Sequence, residues 1–146
     1  MTLGLIFVLL LCGGCRSAYP ESAIILKQMM ELSEDEATVT ASEAFGFDFD
    51  KAYIPDSRAV YADKDYYLKI MNVKSKINIL QFPSEEYRRI LFVKNNTIVY
   101  DFIYSEQQLQ LSEDDAWFFS NTHMSFSWLN SSNRTIHISF DDRIEG

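Results

Sequence analysis

Cysteine is nearly missing from this chain of 146 residues: there are two, Cys12 and Cys15, both close to the amino end. No disulfide can staple the rest, which must stand on a hydrophobic core. Glycine is as scarce. Beyond Gly14 only Gly46 and Gly146 occur, so the sequence holds no glycine-rich phosphate loop and no G-x-S-x-G turn to raise a nucleophilic serine. The two histidines, His123 and His137, lack the H-x-x-x-H spacing and the cysteine partners of a zinc site. The expectation is therefore no metal and no cofactor. Basic residues are outnumbered, 13 Lys and Arg against 21 Asp and Glu, for a net charge of −8. That balance argues against nucleic acid as a partner, because phosphates need a basic face. It also argues against electrostatic attraction to acidic lipid. No apolar run approaches the about 20 residues that a helix needs to span a bilayer.

What is present begins with a short apolar run. Leu3 to Leu11 is almost unbroken and ends in Cys12-Gly13-Gly14-Cys15, with Arg16-Ser17 following at once. A secretion signal needs about 7–15 apolar residues and then small residues at the cut. The segment resembles the bacterial lipoprotein signal, in which a cysteine preceded by two small residues becomes the first residue of the mature chain. The resemblance implies removal of residues 1–14, lipidation of Cys15 with acyl groups such as palmitate, and a spacer over 15–20. It further implies a membrane anchor at the cell envelope, on the periplasmic or extracellular face. Two or more acyl chains anchor firmly, at about 0.8 kcal/mol per buried methylene. The alternative is an ordinary secretory signal, cut nearby with Cys12 and Gly14 as its small residues, which would release a secreted protein without lipid.

The remainder reads as one α+β domain over residues 21–142, with an antiparallel sheet of about five strands and two or three helices. Pro20 suits a first helical turn, and Ala23, Ile24, Ile25, Leu26, Met29, Met30 and Leu32 form an apolar band. The pattern predicts a helix over 20–32 whose methionines are core. Residues 33–43, acidic and rich in Ser and Thr, read as loop. Phe45, Phe47 and Phe49 alternate with Gly46, Asp48 and Asp50, which predicts a strand with one buried face, ended by Pro55.

The stretch Phe49-Asp50-Lys51-Ala52-Tyr53-Ile54-Pro55 resembles the W-D-K-V-Y-x-P signature of small bacterial lipoproteins. Phe92-Val93-Lys94-Asn95-Asn96-Thr97-Ile98-Val99 is similar to their later strand pair. The resemblance covers scattered pieces of 44–105 and implies the same signal, strand and helix order. It implies no activity.

Asp56-Ser57 predicts a cap for a helix over 58–71, stopped by Asn72. Alternation over Ile77 to Phe82 predicts a strand. Asn95-Asn96, between two runs rich in β-branched and aromatic residues, predicts a two-residue hairpin at the sheet centre. Ser112 with Asp115 fits a helix cap, which predicts a short helix around Ala116–Phe119. His123–Leu129 and Arg134–Phe140 read as a second hairpin.

The candidate chemistry is thin. Asp48 and Asp50, two apart on a strand, would share a face about 6.6 Å apart. That matches the about 6.5–9.5 Å of inverting carbohydrate hydrolysis, but a solvent-facing strand edge already explains both acids and is the preferred reading. Three N-x-S/T sequons, at Asn95, Asn130 and Asn133, fall where turns are expected. The expectation is a non-catalytic binding module with a protein partner, of the immunity or inhibitor kind. An envelope hydrolase using Asp48 and Asp50 is the alternative.

Overall fold

A computed structural model describes residues 19–56, 59, 62–81, 85–130, 132 and 134–141. Cys15, the rest of the amino-terminal signal, and the terminal residues 142–146 lie outside these described residues.

The first helix, α1, spans Ser22–Glu34 and buries Ile25, Met29 and Ser33, one turn apart. The expected helix is thus present, shifted by two residues, with Met29 in the core and Met30 exposed. The Ser33 hydroxyl donates back to the Met29 carbonyl at 2.8 Å, which satisfies a polar group inside the core.

The expected loop at 33–43 is instead structured. Strand β1 (Thr38–Thr40) runs straight into α2 (Ala41–Phe45). The reason is a capping box at Thr40: its hydroxyl accepts from the Glu43 amide while the Glu43 carboxylate takes the Thr40 amide. Gly46 closes α2 at φ +77, a left-handed position that suits a residue without a Cβ. The alternating phenylalanines are therefore not a strand. Phe45 ends a helix, and Phe47 and Phe49 follow in irregular chain, yet all three pack into one aromatic cluster. The strand, β2, comes later, at Lys51–Ile54.

Helix α3 spans Lys64–Met71, capped by Asp63, and ends at Asn72 with φ 52. It starts later than expected; Ser57, Arg58, Val60 and Tyr61 lie outside the described residues. Strand β3 is only Lys74–Ser75. The strand expected over 77–82 does not form among the described residues, because the Ser75 hydroxyl binds both the amide and the carbonyl of Ile77 and turns the chain.

Strands β4 (Tyr87–Lys94) and β5 (Thr97–Ser105) form the expected hairpin, with Asn95 and Asn96 at φ 51 and 58. Then follow β6 (Leu109–Leu111), β7 (Ala116–Phe119), β8 (His123–Asn130) and β9 (Thr135–Phe140). The short helix expected at 116–119 is β7. Ala116 and Phe118 face the core and Trp117 the other side, a period of two. The last hairpin, β8–β9, is as expected.

The chain is a single α+β domain, but its strands form two sheets, not one. One has four strands in the order β1-β8-β9-β6, the other five in the order β3-β5-β4-β2-β7. Both are mixed, since β3 pairs with β5 and β6 with β9 in parallel. The inner faces of the two sheets, with α1 and α2, enclose the main core around Phe45, Phe92, Phe102, Phe118 and Phe126. The outer face of the five-stranded sheet carries a second core, in which Tyr67 and Met71 of α3 cover Leu91, Val93 and Ile98. Strand β4 is thus buried on both sides, as the central strand.

Candidate functional site

The two sheets part at one end, where they leave a cleft of ≈370 Å³. One wall is the end of the β4–β5 hairpin, with Arg88, Tyr104 and Glu106. The opposite wall is β6 and the loop after it, where Ser112, Glu113 and Asp114 carry the chain from the four-stranded sheet to the five-stranded one. Ile54, Pro55, Leu109 and Leu111 give the cleft apolar sides.

Both walls are pinned. The Ser112 amide donates to the Ile138 carbonyl at 2.9 Å. At the far end of the loop, Asp115 stands at φ 46, and its carboxylate accepts the Tyr53 hydroxyl at 2.5 Å. Burial, together with that carboxylate, raises the Tyr53 pKa well above its ordinary value. Glu113 and Asp114 sit exposed between these two ties. On the hairpin side the Glu106 amide donates to the Glu86 carbonyl at 2.9 Å, and Arg88 pairs with Glu106 at 2.9 Å. Arg88 also donates from Nη1 to the carbonyls of Glu85 and Tyr87, so both of its terminal nitrogens are engaged.

Tyr104 forms the floor. Its ring is only 5% exposed and stacks on Phe102 with centroids 5.5 Å apart. Burial raises its pKa, with Glu106 and Asp114 adding to the effect and Arg88 opposing it. Its hydroxyl makes no hydrogen bond among the described residues.

A second unusual group lies on the other face of the same hairpin. Arg89 is fully buried and pairs with Asp101, Nε to Oδ1, at 3.8 Å. It donates to the Leu80 carbonyl and lies 5.3 Å from the centre of the Tyr67 ring. Burial pushes the Asp101 carboxyl up to about 6, against the pull of Arg89. Burial likewise pushes Tyr67 up to about 12.

Asp48 and Asp50 stand elsewhere, beside the β4–β5 turn. Asp48 pairs with Lys94 at 2.7 Å, and Asp50 accepts the Asn95 amide at 2.7 Å. Both are exposed; Asp50 ties the turn through its bond to the backbone, whereas Asp48 makes only a solvent-exposed ion pair. His137 lies opposite Ser127, whereas His123 lies beside Asp141, just past the end of β9 and four positions on from His137. Among the described residues no group of three His, Cys, Asp or Glu converges as a metal site. No helix among them is long and apolar enough to cross a membrane. Comparison with family models, with curated proteins and with solved structures returned no match.

The cleft residues escaped sequence reasoning because they come from three separate stretches of chain. The one local signal was the Glu113-Asp114-Asp115 cluster, which fits a solvated loop equally well.

Proposed function

We propose that this protein is a small envelope lipoprotein, anchored through Cys15, that works as a non-catalytic binding module for a protein partner. The observation that carries the reading is Gly13-Gly14-Cys15 at the end of a short apolar run. The position of the folded domain supports it. Tyr19, four residues after Cys15, already packs against Phe47 and stacks on Tyr100 with centroids 5.9 Å apart. Four residues of extended chain reach about 14 Å at most, so a lipid on Cys15 would hold the domain against the bilayer. The cleft lies away from that end. Arg88 pairs with Tyr104 and Phe92 with Tyr100 in the hairpin register, so cleft and anchor are four steps, about 13 Å, apart along β4. A pinned cleft set apart from the anchored end suits capture of a partner in the envelope, as an immunity or inhibitor protein would require.

The test is mass spectrometry of the tagged full chain, cross-linked in its native envelope, with Cys15→Ala alongside. The expected result is a mature chain starting at Cys15 with a diacylglycerol and acyl mass, and one dominant cross-linked protein. An unmodified amino terminus would instead support a secreted protein and end the lipoprotein reading.

A further inference from the structure

The charges around the cleft do not balance. Arg88 is consumed by Glu106 and two carbonyls. Arg89 is buried, paired with Asp101 and bonded to Leu80. Asp115 holds the Tyr53 hydroxyl. Glu113 and Asp114, by contrast, make no hydrogen bond or ion pair among the described residues, although the loop that carries them is tied at both ends. An acidic pair alone would be an ordinary solvated loop. Tyr104 is the independent observation. Tyr104 is more than nine-tenths buried, it lines the cleft, and its hydroxyl has no partner among the described residues. The hydroxyl opens onto the cleft, where a ligand group could bond to it.

We propose that the cleft receives a lysine or arginine side chain of a protein partner, whose cation is taken by the Tyr104 hydroxyl oxygen and the carboxylates of Glu113 and Asp114. The inference rests on the binding-module reading and names the chemistry that module recognises. A cation is favoured over an anion because, among the described residues, an anion would meet two unpaired carboxylates, while Arg88 and Arg89 are already bonded within the chain. A protein side chain is favoured over a free amine because the cleft is half apolar. Ile54, Pro55, Leu109 and Leu111 offer a surface to the aliphatic stem of Lys or Arg while the charged head stays at the polar rim. At ≈370 Å³ the cleft is near the small end of the about 300–1,000 Å³ of ligand pockets, a size that suits a side chain with its backbone. The net charge of −8 would draw a basic partner toward the molecule.

The experiment is a calorimetric and NMR titration of the purified full chain in detergent. The probes are acetyl-Gly-Lys-Gly amide and acetyl-Gly-Arg-Gly amide, with acetyl-Gly-Glu-Gly amide and free 1,5-diaminopentane for comparison. The basic tripeptides should bind and shift the signals of Tyr104, Glu113 and Asp114, more weakly as salt rises. The glutamate tripeptide should not bind. The double variant E113Q/D114N should weaken binding by about tenfold or more, and Y104F by about tenfold, since hydrogen bonds to charged groups are worth at least that. Y104F should leave the melting temperature unchanged, because the hydroxyl has no partner to lose. Failure of both basic tripeptides to bind at millimolar concentration would overturn the proposal. So would binding that both variants leave intact. Diaminopentane binding as tightly as the tripeptides would overturn the protein source of the cation. The same preparation reports the mass of Cys15. Lipid without peptide binding rejects the cleft assignment alone, and peptide binding without lipid rejects the anchor alone.

Discussion

Arg89 and Asp101 show how one buried pair sets a pH dependence. The unfolded chain would titrate Asp101 near the ordinary 3.8, whereas burial, only partly offset by Arg89, lifts it to about 6 in the fold. The folded state therefore holds this proton more tightly than the unfolded chain. The contribution is complete below about pH 4 and is lost as the pH rises through about 6, by up to about 3 kcal/mol. Denaturant melts between pH 4 and 7 should show that decline, and the Asp101 carboxyl carbon should titrate with a midpoint near 6 by NMR. A midpoint below 4 would mean that the guanidinium outweighs burial. Arg89→Met removes the one cation that pulls Asp101 down, along with the bond to Leu80 and the contact with Tyr67. It should cost about 3–5 kcal/mol at pH 8, where the carboxylate is left charged and buried, and less at pH 5, where it is protonated. Nothing in the sequence marks this pair. Arg89 follows Arg88 at the head of the apolar run Ile90–Val93, and only the cover supplied by Tyr67 and by the chain around Leu80 makes the site dry.

Elements differ in how plainly the sequence announces them. The β4–β5 hairpin is legible because turn chemistry and strand composition agree: Asn95 and Asn96 tolerate positive φ, and the flanks are β-branched and aromatic. The stretch from Thr38 to Asp50 is not, because Phe45, Phe47 and Phe49 reach one aromatic cluster from a helix end and an irregular segment, which mimics the alternation of a strand. The β7 segment misleads in the opposite way. Four residues are too few for periodicity to tell a helix from a strand, and pairing with β2 decides it. The shared strand face expected for Asp48 and Asp50 goes with that strand: both lie in irregular chain, and Asp50 closes the hairpin. Asp50→Ala should lower stability by about 1 kcal/mol through loss of the bond to the Asn95 amide. Asp48→Asn, at an exposed pair with Lys94, should leave the melting temperature in place. Thermal melts of the two variants check this; equal losses from both would contradict the assignment of Asp50 as the clamp.

At the scale of the molecule, two cores share one sheet, and the question is whether they melt as one. Leu91 and Phe92 are neighbours on β4, fully buried, and point to opposite sides. Leu91 meets the α3 layer, and Phe92 meets the aromatic core between the sheets. Since β4 is flanked by β2 and β5, loosening either core withdraws support from the same ladder. Leu91→Ala should cost about 2–5 kcal/mol and Phe92→Ala about 3–5 kcal/mol. Each should lower a single cooperative transition instead of splitting it in two. Amide exchange should then be slowest along β4 and in the facing parts of β2 and β5, at rates set by global unfolding, and fastest at the short edge strands β1 and β3. If Leu91→Ala released α3 alone, with exchange at β8 and β9 unchanged, the outer layer would be a separate unit, and the domain would be a two-sheet core carrying a detachable cover.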